Sequence, residues 1–293
     1  MTELPKEISA LYPFSQHDFA SSGGRMNFID EGSGARGNVV LLHGNPTWSF
    51  MWRDVVKALA GAGFRCIAPD LLGMGLSEKP HKYFTLADRI SHVEELIERL
   101  GIKKFSLCAH DWGGAIGCGV AGNSPEKISK IVLMDTAAFR SRNIPKRIAV
   151  CKAFGIGPAL VKYFNAFVRP AATMCVEKPL APAVKAGFLF PYRTPRDRES
   201  VANFVRDIPL SPRHVSYAAL CAVEAGLEKL RDKPMFIAWG GKDFCFGDDF
   251  YDEWCKRFPA AKTLYCENAG HYLLEDAGAE IIPEIAKFLC DKA

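Results

Sequence analysis

The chain of 293 residues has an apolar fraction of 48%, a charged fraction of 24% and a net charge of +4, which are ordinary values for a globular protein. This small net charge, without a basic run interleaved with aromatic residues, gives no indication of nucleic-acid binding. No apolar run approaches the ~20 residues that a membrane-spanning helix needs, and the polar start of the chain has no apolar signal-peptide core. We therefore expect a cytoplasmic chain without a membrane span.

The ten cysteines form no C-x-x-C pair and show no spacing typical of metal ligands. Most of them, such as Cys66, Cys108, Cys118 and Cys290, lie in apolar segments, where a free thiol behaves as a small hydrophobic side chain. Reduced thiols are the expected state.

Short apolar runs alternate with helical patterns of ten to fifteen residues along most of the chain. The first half predicts strands at 25–31, 38–43, 64–69, 103–109 and 128–135, with helices at 51–60, from the N-cap Thr85 to Leu100, and after Trp112. The last third predicts strands at 234–240 and 262–266 and helices near 249–258 and 275–290. This alternation is typical of an α/β fold with a mostly parallel sheet and right-handed crossovers.

Residues 140–214 interrupt this rhythm and are rich in Pro, Phe and basic side chains. They contain fourteen Lys and Arg but four Asp and Glu, a net charge of +10. We predict a core formed by 1–139 and 215–293 and a helical cap formed by 140–214, which would cover the crevice at the carboxyl edge of the sheet. The basic cap surface leaves two interpretations open, docking of an acidic partner or simple solvation. A homo-oligomer or an enzyme assembly also stays open.

The first functional signal is the segment FSLCAHDWGGAIG at 105–117. A strand-like run ends at Ala109 and a helical pattern follows Trp112, so the turn between them has the small-x-Asp-x-Gly spacing of a nucleophile elbow. The residue at its tip is Asp111, not the serine of an esterase. Because helix N-termini favour anions, we expect Asp111 to be ionised and placed for attack. An ordinary N-cap aspartate is the alternative.

Two further titratable groups follow later strands in the chain order typical of α/β hydrolases, nucleophile then acid then histidine. Asp243 comes after the strand at 234–240, and His271 comes after the strand that ends at Cys266. His271 is therefore the candidate base and Asp243 the candidate acid, although Asp243 could instead cap the next helix. Asp135 also ends a strand and is the alternative acid. No nucleotide, flavin or metal motif occurs, so we predict no cofactor and no metal.

Five segments of the sequence resemble the haloalkane dehalogenases of the α/β-hydrolase superfamily: LLHGNPTWSFMWR, APDLLGMGLSEKP, AHDWGGAIG, FIAWGGKD and NAGHYLLED. The likeness runs from about Tyr12 to the C-terminus, is weakest in the cap, and is close to the third subfamily. It is closer still to the β-lactone decarboxylases of bacterial long-chain olefin synthesis. Those enzymes share TAAF at 136–139, FNAF at 164–167 and RDIPLSP at 206–212.

The resemblance implies an Asp111 nucleophile, a His271 base, an Asp243 acid, and leaving-group donors on Asn45 and Trp112. Asp135 stands where many relatives carry Asn, which keeps the choice of acid open. In such enzymes the Asp111 carboxylate would displace a leaving group from a saturated carbon. Water activated by neutral His271 would then hydrolyse the resulting ester, its oxyanion held by backbone N–H groups.

Several functions are compatible with these residues. We predict a haloalkane dehalogenase-type hydrolase, with β-lactone decarboxylation as the alternative. Both reactions use the same set on a small apolar substrate, and the sequence does not settle which one is physiological. An epoxide hydrolase would need proton donors such as Tyr163 and Tyr192 of the cap, and a non-catalytic ligand-binding member of the fold would need no complete Asp–His–Asp set. Five cap side chains suit alkyl or acyl chains: Phe164, Phe167, Phe188, Phe190 and Phe204.

Overall fold

The computed structural model describes residues 4–141, 143–153 and 155–291. Its eight-stranded sheet has the order β1-β2-β4-β3-β5-β6-β7-β8. The first two pairings, β1 with β2 and β2 with β4, are antiparallel, and the other five are parallel. The mostly parallel sheet predicted from the sequence is confirmed. The strands are β1 (Gln16–Ser21), β2 (Gly24–Glu31), β3 (Asn38–Leu42), β4 (Arg65–Pro69), β5 (Phe105–His110), β6 (Ile128–Met134), β7 (Met235–Gly240) and β8 (Lys262–Cys266).

The helices agree with the predicted ones to within a few residues, and the strand β1 and the short helix α1 at the start of the chain were not predicted. Strand β1 is an edge strand with mostly polar side chains, so it lacks the apolar run that marks the central strands. The helices are α1 (Lys6–Leu11), α2 (Arg53–Gly61), α3 (Leu86–Arg99), α4 (Trp112–Asn123), α5 (Lys146–Lys152), α6 (Ile156–Phe164), α7 (Val168–Met174), α8 (Pro182–Leu189), α9 (Glu199–Arg206), α10 (Tyr217–Gly226), α11 (Asp248–Arg257) and α12 (Leu273–Cys290).

Two local signals in the sequence explain how the central elements form. Thr85 caps α3 through a reciprocal pair of hydrogen bonds with Asp88, the capping box that stabilises a helix start. Helix α4 lies close against the sheet because two residues of its first turn, Gly113 and Gly114, have no side chain beyond hydrogen. A Cβ added to Gly113 would meet the Leu42 carbonyl oxygen at 2.1 Å. This close approach brings the start of α4 next to the end of β3.

Helices α5 to α9 lie between β6 and β7 in the chain, within the predicted cap. Asp207, directly after α9, is fully buried and accepts a hydrogen bond from Arg89 of α3 at 2.8 Å. The hydroxyls of Tyr83 and Ser216 also donate to this carboxylate. The guanidinium of Arg89 also packs over the ring of Phe204 in α9, 3.8 Å from its centre. The buried ion pair and this ring contact together attach α9 to helix α3. The cap boundaries at 140 and 214 stay a prediction.

None of the helices in the described ranges is both long and apolar enough to cross a lipid bilayer.

Candidate active site

Asp111 lies at a sharp turn between β5 and α4. Its backbone has φ +52° and ψ −128°, a conformation that is unusual for a residue with a side chain and is found at strained functional turns. Asp111 precedes α4 in the N-cap position, but its side chain makes no helix-capping hydrogen bond. A Cβ at Gly44 would lie 2.0 Å from Asp111 Oδ1, so the loop after β3 must carry glycine there. This geometry disfavours the ordinary N-cap alternative.

Backbone N–H groups surround one side of the Asp111 carboxylate. The Asn45 N–H donates to Oδ1 at 2.6 Å, and the Trp112 N–H also donates to the carboxylate. The other oxygen, Oδ2, lies 3.8 Å from Nε2 of His271. Burial raises the pKa of Asp111, although His271 and the two N–H groups oppose this effect. These groups therefore offset only part of the effect of burial on the pKa of Asp111.

His271 connects Asp111 with Asp243. Its Nδ1 lies 2.8 Å from Asp243 Oδ2, and the other oxygen of that carboxylate accepts the Cys245 N–H. Burial disfavours the charged imidazole, but the charge and hydrogen bond of Asp243 and the nearby Asp111 outweigh it and raise the pKa of His271 to about 10. The two neighbouring carboxyl groups therefore favour the protonated form of the His271 imidazole.

The alternative acid, Asp135, is close to this group but is not bonded to it. Its backbone has φ +39°, and its Oδ1 accepts the Gly240 N–H at 2.9 Å. The other oxygen has no hydrogen-bond partner within the described ranges. Burial and the charge of Asp243 raise the pKa of Asp135 well above its usual range. The structure pairs His271 with Asp243 rather than with Asp135.

His110 is a neighbour of the site to which the sequence gave no role. Its Nε2 is 2.8 Å from the backbone oxygen of His271, and the two ring centres are 4.5 Å apart. Burial lowers the pKa of His110 well below its usual range. Because a carbonyl oxygen only accepts, the Nε2–H of His110 donates this hydrogen bond. His110 thus holds the backbone of His271 beside the elbow. Its place one residue before Asp111 was the available signal.

Asn45 and Trp112 lie on the same side of Asp111 and both line the large cavity described below. The Asn45 side-chain amide donates to the Val201 carbonyl at 3.2 Å, which leaves its second N–H without a protein acceptor. The Trp112 ring packs edge-on against Phe204, with ring centres 5.4 Å apart. Within the part of the chain that the structure describes, no side chain or carbonyl accepts its indole N–H. Both residues can therefore offer a donor to a ligand.

Two apolar cavities meet beside these donors. The larger encloses about 930 Å³ including its open mouth, and the smaller about 450 Å³. Asp111 and Trp112 line the larger cavity, and His271 lines the smaller one. Four residues line both cavities and mark where they join: Asn45, Ile148, Phe167 and Cys245.

The aromatic lining differs from the one expected from the cap sequence. Of the five predicted phenylalanines, Phe167 lines the cavities, whereas Phe164 is 75% exposed. The remaining three, Phe188, Phe190 and Phe204, are buried in packing between elements and line neither cavity. Helix amphipathicity did not reveal which face of each cap helix turns inward. The aromatic lining is completed by residues outside the cap: Phe139, Phe244, Phe246 and Phe250.

The two tyrosines considered as proton donors for epoxide opening lie elsewhere. Tyr163 is 61% exposed, and the buried Tyr192 hydroxyl donates to the Thr47 carbonyl at 2.9 Å. No tyrosine of the described chain lines either cavity. The epoxide-hydrolase interpretation therefore loses the groups on which it depended.

Two clusters have donor atoms close enough to share a metal ion, with all atoms of a cluster within 4.8 Å of one another. The first comprises His110, Asp135 and His271 and is completely buried. The second comprises His271, Asp243 and Cys245, and Cys245 is partly exposed to the cavities.

The sequence and the structure were compared with known protein families, curated proteins and solved structures. Residues 37–278 match the model of the alpha/beta hydrolase fold family. The chain is 36% identical to the cis-3-alkyl-4-alkyloxetan-2-one decarboxylase of Shewanella oneidensis, over 97% of this chain and 91% of that protein. It is 32% identical to haloalkane dehalogenase 2 of Mycobacterium tuberculosis, over 94% and 95% of the two chains. Among solved structures, haloalkane dehalogenase DbeA from Bradyrhizobium elkani superposes with a TM-score of 0.84, at 27% identity over 94% and 97%.

Proposed function

The chain belongs to the alpha/beta hydrolase fold family, and from this premise we propose that Asp111 displaces a leaving group from a saturated carbon of an apolar substrate. The elbow conformation of Asp111, the His271–Asp243 pair and the donors on Asn45 and Trp112 support this reaction. We propose further that the substrate is a β-lactone with two neighbouring alkyl chains, which the enzyme converts into an alkene and CO₂.

The observation that carries the lactone proposal is the meeting of two apolar cavities beside Asp111. A β-lactone with alkyl chains on adjacent ring carbons needs room for two chains that diverge from one reacting centre. The larger cavity begins at Asp111 and the smaller at His271, and they join at Asn45 and Cys245. The likeness to a cis-3-alkyl-4-alkyloxetan-2-one decarboxylase points to the same substrate.

The first step on a lactone is attack by the Asp111 carboxylate on the saturated ring carbon that bears the ring oxygen. A bond forms between that carbon and the Asp111 oxygen, and the carbon–oxygen bond of the ring breaks. The electron pair stays on the ring oxygen and produces a carboxylate on the neighbouring carbon. The free N–H groups of Asn45 and Trp112 bind this carboxylate, and each such hydrogen bond to a charged group contributes roughly 1.5–3 kcal/mol.

The second step releases both products without water. The bond between the substrate carbon and its carboxylate breaks, and its electron pair forms the carbon–carbon double bond while CO₂ leaves. At the same time the ester bond to Asp111 breaks and returns its electron pair to the aspartate. The imidazolium of His271, whose pKa is raised to about 10, favours the return of negative charge to Asp111.

Haloalkane dehalogenation is the second candidate, and the unoccupied indole N–H of Trp112 favours it. Asp111 displaces the halide, which Trp112 and Asn45 receive, and a covalent alkyl ester remains. Esterification removes the charge of Asp111, one of the causes that raise the pKa of His271. The imidazole then loses its proton more easily and activates water, which attacks the carboxyl carbon of Asp111 and releases the alcohol.

One preparation of the enzyme separates the two candidates. We expect a kcat/KM at least ~100-fold higher for a cis-3,4-dialkyl β-lactone, measured as alkene and CO₂, than for 1-bromohexane, measured as bromide; this ratio corresponds to about 2.7 kcal/mol of transition-state preference. Comparable or reversed values would leave haloalkanes as the better substrate class. Asp111→Asn serves as the inactive control for both substrates.

The covalent step has its own test. In a His271→Phe variant treated with 1,2-dibromoethane, water activation is lost and the alkyl ester on Asp111 should accumulate. Mass spectrometry of the peptide that contains Asp111 should show the added mass. An unmodified peptide, with the wild-type enzyme active in the same assay, would exclude the displacement mechanism. No adduct from dibromoethane, together with no turnover of either the lactone or the haloalkane by the wild type, would instead support a non-catalytic ligand-binding protein.

A further inference from the structure

Two cysteines lie beside His271 although they are seventy positions apart in the sequence. Cys175 directly follows α7, and Cys245 lies in the loop after β7. Both line the smaller cavity together with His271, and their thiols are close enough to interact. The Cys175 carbonyl accepts the Tyr272 N–H at 2.6 Å, which fixes this cysteine next to the chain at His271.

The donor atoms of this cluster have the spacing that a single ion requires. The Cys245 sulfur, an Asp243 carboxylate oxygen and a His271 ring nitrogen all lie within 4.8 Å of one another. Zinc–sulfur bonds are about 2.3 Å long and zinc–nitrogen bonds about 2.0 Å, so two donors on one ion are at most about 4.6 Å apart. Small side-chain adjustments are enough to bring these three donors onto one ion. The Cys175 thiol lies outside this 4.8 Å set but beside Cys245, and it would supply the fourth donor.

The electrostatic surroundings also favour a cation. Asp111 and Asp243 flank His271 at this cavity junction, so a bound ion would replace the proton that the two carboxyl groups favour on the imidazole. Among the residues that line the smaller cavity, the basic side chain is Arg147, and its guanidinium lies over the Phe244 ring at 5.3 Å from the ring centre. Two thiols, an imidazole and a carboxylate form a donor set that suits Zn²⁺ better than Mg²⁺ or Ca²⁺, which require oxygen ligands.

We propose that Cys175, Cys245, His271 and Asp243 form an inhibitory binding site for Zn²⁺. Binding would occupy the imidazole that acts beside Asp111 and would separate it from its partner carboxylate. It would also tie the end of α7 to the loop after β7 across the smaller cavity. The inhibition rests on the proposed function of His271, whereas the binding of the ion does not.

The first experiment measures metal binding by the full-length chain without any substrate. The protein is reduced, freed of metal with a chelator, and titrated with Zn²⁺ against a chromophoric competitor; a parallel titration with Co²⁺ monitors thiolate-to-cobalt charge-transfer absorption. We expect one ion per chain. Replacement of a direct ligand, in Cys175→Ser or Cys245→Ser, should weaken binding by about 100-fold or more and remove cobalt–thiolate absorption, most fully in the double variant.

Cys151→Ser is the matched control, because Cys151 lines the same cavity but its thiol contacts the Ala166 carbonyl, whereas the Cys175 thiol interacts with Cys245. This variant should bind Zn²⁺ like the wild type. Absence of stoichiometric binding by the wild type, or equal affinity in the wild type and the double variant, would overturn the proposal.

The second experiment measures inhibition, with each variant compared with its own zinc-free rate. Zinc should inhibit the wild type and Cys151→Ser, chelator should restore their activity, and the double variant should resist inhibition. Stoichiometric binding without inhibition of an active wild type would overturn the inhibitory role. Because the absorption measurements need no turnover, a chain that binds Zn²⁺ but converts neither substrate would contradict the proposed function and leave the metal site standing.

Discussion

The side-chain amide of Asn45 donates a hydrogen bond to the backbone carbonyl of Val201 at 3.2 Å, which joins the loop after β3 to helix α9. This contact fixes the amide of a residue that lines the large cavity and whose backbone N–H donates to the Asp111 carboxylate. The proposed donor for the leaving group is thus held by an element from a distant part of the chain.

We expect the two substitutions Asn45→Ala and Asn45→Asp to differ strongly. Asn45→Ala removes one hydrogen bond to a charged leaving group, so kcat/KM should fall about 10- to 100-fold. Asn45→Asp places a second carboxylate beside Asp111 and opposite the Val201 carbonyl, and kcat/KM should fall by at least ~10³-fold. Circular dichroism and thermal unfolding verify that both variants fold. Equal activity of the two would show that the amide is not a donor in the reaction.

Substitution of each candidate acid, Asp243 and Asp135, by asparagine tests which of them acts with His271. Asp243→Asn removes the charge that accepts the His271 Nδ1–H, so kcat for dehalogenation should fall by about 10³- to 10⁴-fold, as expected when a histidine loses its orienting carboxylate. Asp135→Asn replaces a carboxyl that is not bonded to His271 by an amide of similar shape, and activity should stay within ~10-fold of the wild type. The reverse order of losses would transfer the acid role to Asp135.

The protonation of His271 predicts a specific pH dependence. Histidine-selective NMR should find an imidazolium that titrates near the pKa of about 10 in the wild type. In Asp243→Asn the pKa should fall, because burial alone disfavours the charged ring. A wild-type His271 resonance that titrates near the ordinary histidine value of ~6.5 would contradict this prediction.

The same pKa shift links stability to pH. Because the pKa of His271 is raised in the folded state, the stability that it contributes is complete below pH ~6.5 and is lost as the pH rises through about 10. The free energy of unfolding of the wild type, minus that of His271→Gln, should therefore decrease between these pH values. A difference that stays constant or increases would be the contrary result.

The buried ion pair between α3 and the end of α9 should dominate the attachment of α9. Asp207→Ala leaves Arg89 buried without its carboxylate, and the free energy of unfolding should fall by about 3–5 kcal/mol in denaturant titrations. The control is Glu228→Ala, which breaks a pair with Arg231 whose side chains are more than 60% exposed, and should cost less than about 1 kcal/mol. A similar cost for both variants would mean that the buried pair does not hold α9 in place.

The sequence was sufficient for the elements whose signals are local. The apolar run of β5, the small residues around Asp111 and the Thr85 capping box all depend on neighbours within a few positions, and the structure has each of them where it was predicted. The chain order of Asp111, Asp243 and His271 likewise followed from the alternation of strands and helices.

Tertiary structure alone selected the partners within the site. Asp135 and Asp243 follow the adjacent parallel strands β6 and β7, so the sequence places both carboxyls at one edge of the sheet, and only the loop conformation brings Asp243 to His271. The inward face of each cap helix was hidden for a similar reason, because most faces of these helices carry apolar residues.

The contacts made over long sequence distances could not be anticipated either. The bond between Asn45 and Val201 spans 156 positions, and the approach of Cys175 to Cys245 leaves no spacing pattern to recognise. Interactions between residues close in sequence therefore determined that this chain has a mostly parallel sheet and a sharp strand-to-helix turn that carries Asp111. Which donors, acids and thiols surround that elbow was decided by packing, since packing depends on the positions of all elements at once.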